Sequence, residues 1–148
     1  MGVEEIIGRL ESMVMVHLRE QLPWVWATHD LLVQCQQRGI PAALVTMSRR
    51  EMAQIVIDAA PAPFAFSVTG DEVEHPKPDP WPYLHAAQTL GVPASRCVVI
   101  EDSATGAQSG RDAGCTVYTT GPNAGRILEL PALPPKPTLD ELLPLASR

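Results

Sequence analysis

Hydrophobic and polar positions follow two periods along this chain, one typical of helices and one typical of strands. In some segments apolar residues recur every three or four positions, whereas others are short apolar runs bounded by glycine or proline. The pattern predicts helices over 4–21, 28–38, 49–59, 79–90, 103–113 and 138–145, and strands over 42–46, 64–68, 96–101 and 115–119. Within the first helix, the run "MVMV" is a weaker strand alternative. Because strands alternate with helices, the fold class is α/β, doubly wound around a mainly parallel sheet.

Composition narrows the class of protein further. The 148 residues, 45% of them hydrophobic, are enough for one core and therefore one domain. A net charge of -6 without a cluster of basic residues argues against nucleic acid and against an anionic membrane as partners. Three widely spaced cysteines indicate buried thiols in a reducing compartment. Charges interrupt the first twenty residues, so we expect neither a signal peptide nor a membrane span and predict a cytoplasmic protein.

Polar side chains follow the first three predicted strands, and ligands bind at this edge of doubly wound sheets. These residues are Thr46, Met47 and Ser48 after the first strand, Lys77 after the second, and Glu101, Asp102 and Ser103 after the third. A threonine hydroxyl and nearby backbone N–H groups can bind a phosphoryl oxygen, and a lysine can offset its charge. Adjacent carboxylates are ligands of the kind that Mg²⁺ takes. We therefore predict a site for phosphate and Mg²⁺.

Each of these residues also has an ordinary structural explanation. Lys77 stands between Pro76 and Pro78, so it could be an exposed residue of a proline-rich turn. Asp102 could cap the helix that follows its strand. A threonine at a strand end, such as Thr46, is often there for packing. The functional interpretation depends on the three segments occurring together and in this order.

Three motifs carry a resemblance to a known family. "LVTMS", "KPDPWPYL" and "VVIEDSATGAQSGRDAGC" resemble the second, third and fourth motifs of haloacid dehalogenase-like (HAD) phosphohydrolases, in the phosphatase and beta-phosphoglucomutase-like branch. The resemblance covers residues 22–121. It implies that Thr46, with Met47 and Ser48, binds phosphate, that Lys77 is the catalytic charge clamp, and that Asp102 binds Mg²⁺ with Glu101 beside it.

One motif of that family is missing from this sequence. The family uses an aspartate nucleophile in an Asp-x-Asp motif after its first strand, and no two aspartates of this chain stand two residues apart. The resemblance implies that residues 1–22 are a remnant of a helical cap and that 23–148 form an incomplete core lacking its first, central strand. We expect a gap between strands 42–46 and 96–101 that closes, is filled, or promotes self-association. A wrong start, a split gene and a true deletion would each explain the sequence.

These observations favour one function and leave others open. The first is a Mg²⁺-dependent phosphomonoesterase or phosphotransferase acting on a small phosphorylated metabolite, with this chain alone inactive. The alternative is a non-catalytic module that binds phosphate and Mg²⁺ or a protein partner. A response-regulator receiver also combines Thr, Lys and carboxylates, but there the acidic pair comes first in the chain, so the order found here disfavours it.

Overall fold

The computed structural model describes residues 23–143, which form helices and strands in alternation. The helices are α1 Pro23–Arg38, α2 Arg50–Ala59, α3 Trp81–Leu90, α4 Ala104–Asp112 and α5 Leu139–Leu142, and the strands are β1 Ala43–Val45, β2 Phe66–Val68, β3 Val98–Glu101 and β4 Thr116–Thr119. Short 3₁₀ turns occupy Ala94–Arg96 and Ile127–Glu129. The predicted elements between residues 28 and 143 are all present, with strands one to two residues shorter at their ends. The predicted helix over 4–21 and the proposed cap remnant at 1–22 lie outside the described residues.

Local sequence signals account for where the helices begin and end. The Asp79 carboxylate accepts a hydrogen bond of 2.8 Å from the Trp81 backbone N–H, which satisfies a free donor of the first turn of α3. That helix ends at Gly91, whose φ of 76° is in the left-handed region that glycine adopts most easily. At the other end of the chain, the Thr138 hydroxyl caps α5 by accepting from the Glu141 N–H, as the capping-box pattern predicts.

The described strands are all parallel, but they form two separate sheets of two strands each. β1 pairs with β2, and β3 pairs with β4. The doubly wound α/β class is therefore confirmed. The expected break between β1 and β3 is also present in the part of the chain that the structure describes. Among residues 23–143, no helix is long and apolar enough to cross a membrane.

The hydrogen-bond pattern shows which edge of each sheet is unpaired. Ala42 O accepts from Ala65 N at 2.7 Å and Thr46 N donates to Val68 O at 2.9 Å, so the even-numbered residues of this segment face β2. Backbone groups of a strand alternate in direction, so Ala43 and Val45 face away from β2. At the two ends of β3, Cys97 O accepts from Thr116 N and Glu101 O accepts from Thr120 N, so the odd-numbered residues face β4. Val98 and Ile100 therefore face away from β4. Both sheets therefore present a free edge to the space between them.

A cavity of about 630 Å³ occupies that space, and we call it the inter-sheet cavity. Its lining is mainly apolar and includes Leu44, Val98, Ile100, Leu31, Val56 and Leu142. Residues of α1, α2 and α5 also line it, as do Tyr83 and Ala87 of α3. An apolar space flanked by two unpaired strand edges has the properties of a position for one more strand.

The core consists of two buried clusters that pack on opposite faces of the β3 and β4 sheet, since Val99 and Val117 belong to one and Val98, Ile100 and Tyr118 pack against the other. One buried cluster joins Tyr83 of α3 to Val99, Ala107 and Val117 of the β3, α4 and β4 elements. A second, smaller cluster joins Leu31 of α1 to α5, where the buried side chains are Leu139 and Leu142. The first cluster fixes the elements that carry the candidate site described next.

Candidate functional site

Lys77 connects the ends of the two sheets. Its ammonium group donates to Val45 O at 3.0 Å, at the last residue of β1, and to Glu101 Oε1 at 2.5 Å, at the last residue of β3. The charge also lies 5.0 Å from the centre of the Tyr83 ring, within the range of a cation–π contact. The side chains of Lys77 and Glu101 are only 7% and 6% exposed. A buried ion pair thus stands at the carboxyl edge of both sheets, at one end of the inter-sheet cavity.

Glu101 is the centre of a hydrogen-bond network. Its Oε1 accepts from Lys77 and from the Tyr83 hydroxyl, and its Oε2 accepts from the Ser103 hydroxyl at 3.3 Å. The network satisfies a carboxylate that would be costly to bury alone. Burial raises the pKa of Tyr83 well above its usual value, and the Glu101 carboxylate adds to this rise. The tyrosine therefore stays a neutral donor to Glu101.

The first turn of α4 is built to accommodate this carboxylate. Ser103 precedes the helix with an extended backbone, and its hydroxyl accepts from the Gly106 N–H at 3.1 Å. A Cβ atom placed on Gly106 would lie 2.0 Å from Glu101 Oε2, which is impossible without movement. Glycine at this position therefore lets the buried carboxylate approach the helix backbone closely.

The segment after β1 folds into a tight turn at the same edge. Thr46 Oγ1 accepts from the Ser48 N–H at 3.1 Å, and Ser48 O accepts from the Gly70 N–H at 2.8 Å. A Cβ atom on Gly70 would lie 2.0 Å from Met47 O, so only glycine lets the two loops meet. The structure places Thr46, Met47 and Ser48 directly beyond Val45, whose carbonyl holds Lys77. Their role in binding phosphate stays a prediction.

Asp71 has a structural role at the start of α2. Its Oδ1 accepts from the Thr69 hydroxyl at 2.6 Å and from the Arg50 backbone N–H at 3.1 Å. The hydrogen bond from Thr69 is the main cause that lowers the pKa of Asp71. Because the carboxylate satisfies a donor at a helix N-terminus, it needs no ligand to explain it.

Asp102 differs from its neighbour Glu101 in orientation and surroundings. It is exposed, lines the inter-sheet cavity, and lies at the same edge as Thr120, whose buried hydroxyl has no hydrogen-bond partner among the described residues. Residues 23–143 contain no group of three His, Cys, Asp or Glu side chains that could hold a metal ion. Mg²⁺ commonly uses one or two protein carboxylates and fills its other positions with water or phosphate. Asp102 fits one such ligand position, while the oxygens of Glu101 already accept from three side chains.

Sequence reasoning anticipated part of this arrangement. It predicted that Lys77 and Glu101 would lie at the same edge of the sheet, and the structure brings the two side chains into direct contact. The role of Glu101 beside Mg²⁺ stays a prediction. Sequence reasoning did not assign a role to Tyr83 or to the Thr120 hydroxyl, and it did not place Gly106 against the Glu101 carboxylate. The signal for Tyr83 was available, since a tyrosine in the first turn of a helix that starts just after Lys77 can return toward the same strand end. No pattern in the sequence indicated Thr120.

Comparison with known proteins defines the class. Residues 2–114 match the family model of the haloacid dehalogenase-like hydrolases. The chain is 43% identical over 89 residues to hexitol phosphatase A of Escherichia coli K12, an alignment that covers 59% of this chain and 41% of that protein. This chain therefore belongs to the haloacid dehalogenase-like hydrolase family, and its relatives include phosphatases.

Two crystal structures show the same fold. One is a HAD family hydrolase from Deinococcus radiodurans R1 with bound phosphate and sodium, at a TM-score of 0.57 and 32% identity, covering 63% of this chain and 42% of that one. The other is CbbY from Rhodobacter sphaeroides in complex with xylulose-(1,5)bisphosphate, at a TM-score of 0.59 and 28% identity, covering 64% and 44%. The matches thus span less than half the length of each of these relatives.

Proposed function

We propose that this chain carries the phosphate-handling and Mg²⁺-handling half of a HAD-type phosphomonoesterase or phosphotransferase that acts on a small phosphorylated metabolite. The observation that supports this most directly is the position of Lys77. Its ammonium group joins the last residue of β1 to the last residue of β3, so Thr46 and Asp102, the residues next in sequence, start from the same edge. Relatives that bind phosphate and a sugar bisphosphate share the fold.

The described side chains suit a phosphoryl group in specific ways. Lys77 supplies a fixed positive charge, which stabilises the negative charge of a transferring phosphoryl group without further reorganisation. At the start of the α2 segment, Thr46 and Ser48 offer hydroxyl groups and Met47 offers a backbone N–H, the kind of donors that bind phosphate oxygens. When bound beside Asp102, Mg²⁺ would neutralise phosphate charge and orient the phosphoryl group.

The same proposal assigns a role to the inter-sheet cavity. Covalent catalysis requires a nucleophile, and no aspartate among the described residues follows an apolar strand ahead of β1 in the chain. A strand in the cavity would pair with the free edges of β1 and β3, and its carboxyl end would stand beside Lys77. We infer that the nucleophilic aspartate belongs to such a strand and that residues 1–148 alone are inactive. The buried Thr120 hydroxyl, which has no hydrogen-bond partner within residues 23–143, also lines this cavity and would gain a partner there.

Turnover of an aryl phosphate tests the proposal. The chain is prepared alone and with an added N-terminal apolar strand that ends in Asp-x-Asp and is joined by a flexible linker. We expect Mg²⁺-dependent hydrolysis of p-nitrophenyl phosphate only in the extended form. Lys77→Met and Asp102→Asn in the extended form should each reduce kcat/KM by at least about 100-fold, because each removes a charge-stabilising group.

The second lysine of the chain provides a matched control. Lys136 also stands between two prolines but is exposed, so Lys136→Met in the extended form should retain full activity. The proposal is wrong if the extended form hydrolyses the ester equally well with Lys77→Met, or if it has no activity although backbone amide signals show the added strand paired with β1 and β3.

A non-catalytic binding module is the second candidate, and the buried Lys77–Glu101 pair is the observation that favours it. Both charges are already satisfied by each other, by Tyr83 and by Val45 O, so the network is stable without a substrate. This candidate predicts no turnover in either form but Mg²⁺-dependent binding of inorganic phosphate to the chain alone. Hydrolysis by the extended form that is lost with Lys77→Met would exclude it.

The free edges also bear on association and location. We propose that the isolated chain self-associates through β1 and β3, because unpaired edges beside an apolar cavity are templates for another chain. Light scattering should then show a mass above 16.0 kDa that falls to the monomer value when the added strand is present. We further propose a cytoplasmic enzyme without nucleic-acid or membrane partners, consistent with the acidic composition.

A further inference from the structure

Two of the three cysteines meet at the amino edge of the second sheet, the edge opposite to the candidate site. Cys97 directly precedes β3 and Cys115 directly precedes β4, and the first paired residues of these strands are Val98 and Thr116. The ladder continues to Cys97, because Thr116 N donates to Cys97 O at 3.1 Å and Cys97 has the extended φ of −99° and ψ of 143°. The two cysteines therefore occupy opposite positions on neighbouring parallel strands.

Their side chains lie on the same face of the sheet. Val99 and Val117 both point at α4, since a Cβ atom on Gly110 would lie 3.2 Å from Val99 Cγ1 and 3.0 Å from Val117 Cγ2. Side chains two positions apart along a strand share a face, so Cys97 and Cys115 share the face of these valines. Neighbouring strands lie about 4.8 Å apart, which is inside the roughly 4.4–6.8 Å range of Cα separations in disulfides.

The two thiols also influence each other electrostatically. The neighbouring Cys115 thiol lowers the pKa of Cys97 to about 7, against the opposing effect of burial. The Cys97 thiol in turn raises the pKa of Cys115, and burial raises it further. A thiol with a lowered pKa that is half-buried rather than enclosed is the reactive kind, because the thiolate is the nucleophile.

Cys35 provides a contrast within the same molecule. It lies on α1, packs beside the Leu31, Leu139 and Leu142 cluster, and has its pKa raised mainly by burial. Sequence reasoning treated the three cysteines alike, as separate buried thiols. The structure instead gives half-buried positions to all three and places two of them side by side.

We propose that Cys97 and Cys115 form a reversible thiol–disulfide site that takes a small disulfide of the glutathione type as its oxidant. The Cys97 thiolate attacks one sulfur of the oxidant, which forms a mixed disulfide and releases one thiolate. Cys115, after losing its proton to solvent, attacks the Cys97 sulfur and releases the second thiolate. Two cysteine thiols are thereby oxidised to one disulfide, and one oxidant disulfide is reduced to two thiols.

The bond would close the β3, α4 and β4 unit at its amino edge. Closing a loop of roughly 20 residues removes conformational freedom from the unfolded chain and stabilises the folded one. Glu101 and Asp102 stand at the other end of β3, so the bond leaves the candidate site in place. The oxidised chain should therefore be more stable, with the same arrangement around Lys77.

Peptide mapping tests the site without any variant. The purified chain is incubated with glutathione disulfide, free thiols are blocked with iodoacetamide, and the chain is digested with trypsin. Cleavage after Arg96 and Arg111 puts Cys97 and Cys115 on separate peptides, 97–111 and 112–126, while Cys35 lies on 20–38. We expect 97–111 and 112–126 joined by a disulfide within one chain and released by dithiothreitol.

Variants and stability distinguish a true pair from general thiol reactivity. Cys115→Ser should stop at a glutathione adduct on Cys97, and Cys35→Ser should form the cross-link as the parent does. Oxidation should raise the melting temperature of the parent chain by at least about 5 °C and leave that of Cys115→Ser unchanged. The proposal is overturned if oxidation gives only separate adducts, cross-links involving Cys35, or cross-links between chains.

Discussion

The two lysines of this chain have nearly the same local sequence and very different surroundings. Lys77 stands between Pro76 and Pro78, and Lys136 stands between Pro135 and Pro137. The Lys77 side chain is 7% exposed and contacts a carboxylate, a carbonyl oxygen and an aromatic ring, whereas Lys136 is exposed in the connector before α5. Proline on both sides restrains the backbone of each loop but does not decide where the lysine goes.

The difference lies in what the following residues bring to the loop. After Lys77, α3 returns Tyr83 toward β3, where Glu101 provides the opposite charge. After Lys136, the chain enters the short helix α5, whose first turn is capped by Thr138. A restrained lysine thus becomes part of a site only when a buried carboxylate and its supporting donors lie within reach.

Replacement of each lysine by methionine is expected to give the largest difference in the free energy of unfolding between the two loops. Lys77→Met leaves the buried Glu101 carboxylate without its cation and should lower the free energy of unfolding by about 3–5 kcal/mol. Lys136→Met removes an exposed charge and should change it by less than about 0.5 kcal/mol. Urea unfolding followed by circular dichroism measures both values.

A double variant checks that the effect comes from the ion pair. Lys77→Met combined with Glu101→Gln removes both charges, so it should be destabilised by less than the sum of the two single variants. Additive losses of stability would show that Lys77 stabilises the fold by packing and not through Glu101. The two lysines would then differ only in how deeply they are buried.

Substitution of Gly106 tests whether the buried Lys77–Glu101 pair depends on the close approach of the Glu101 carboxylate to α4. Gly106→Ala places a methyl group against Glu101 Oε2, so it should cost about 1–3 kcal/mol of stability despite the better helix propensity of alanine. Gly110→Ala, in the same helix but facing valine side chains at 3.0–3.2 Å, should cost less. Equal losses at both positions would contradict the specific role of Gly106.

The smallest effect is expected beside Lys136. Thr138→Ala removes the hydroxyl that caps α5 and should cost about 1 kcal/mol, while Thr138→Ser should retain most of the stability. Melting curves of the two variants measure the difference. A loss with alanine as large as that of Lys77→Met would mean that the second loop is as important to the core as the first.

Much of the fold could be predicted from the sequence because its signals are local. Gly39 and Gly91, which follow α1 and α3, and the Thr138 capping box mark where three helices begin or end. Apolar runs mark the strands, and strand order along the chain places Lys77 and Glu101 at one edge. The separation of β1 from β3 followed from the resemblance to a family with one more strand.

The remaining features depend on three-dimensional contacts that no local pattern encodes. Tyr83 belongs to the site because α3 places its hydroxyl against the Glu101 carboxylate. Glycine is required at position 106 because the Glu101 side chain lies directly against it. The Cys97 and Cys115 neighbourhood depends on the register of β3 against β4, since a shift of one residue would separate them. Hydrophobic periodicity alone does not fix that register in short parallel strands.

The inter-sheet cavity divides the described part of the protein into two strand pairs that can unfold separately. Within residues 23–143, no strand-to-strand hydrogen bond crosses from β1 to β3. The β1 and β2 pair can therefore open without breaking any ladder bond of the β3 and β4 pair, and proteins open in such contiguous cooperative units. Lys77, bonded to Val45 O on one side and to Glu101 on the other, is a polar tie between the two units, so a single side chain contributes directly to the cooperativity of unfolding.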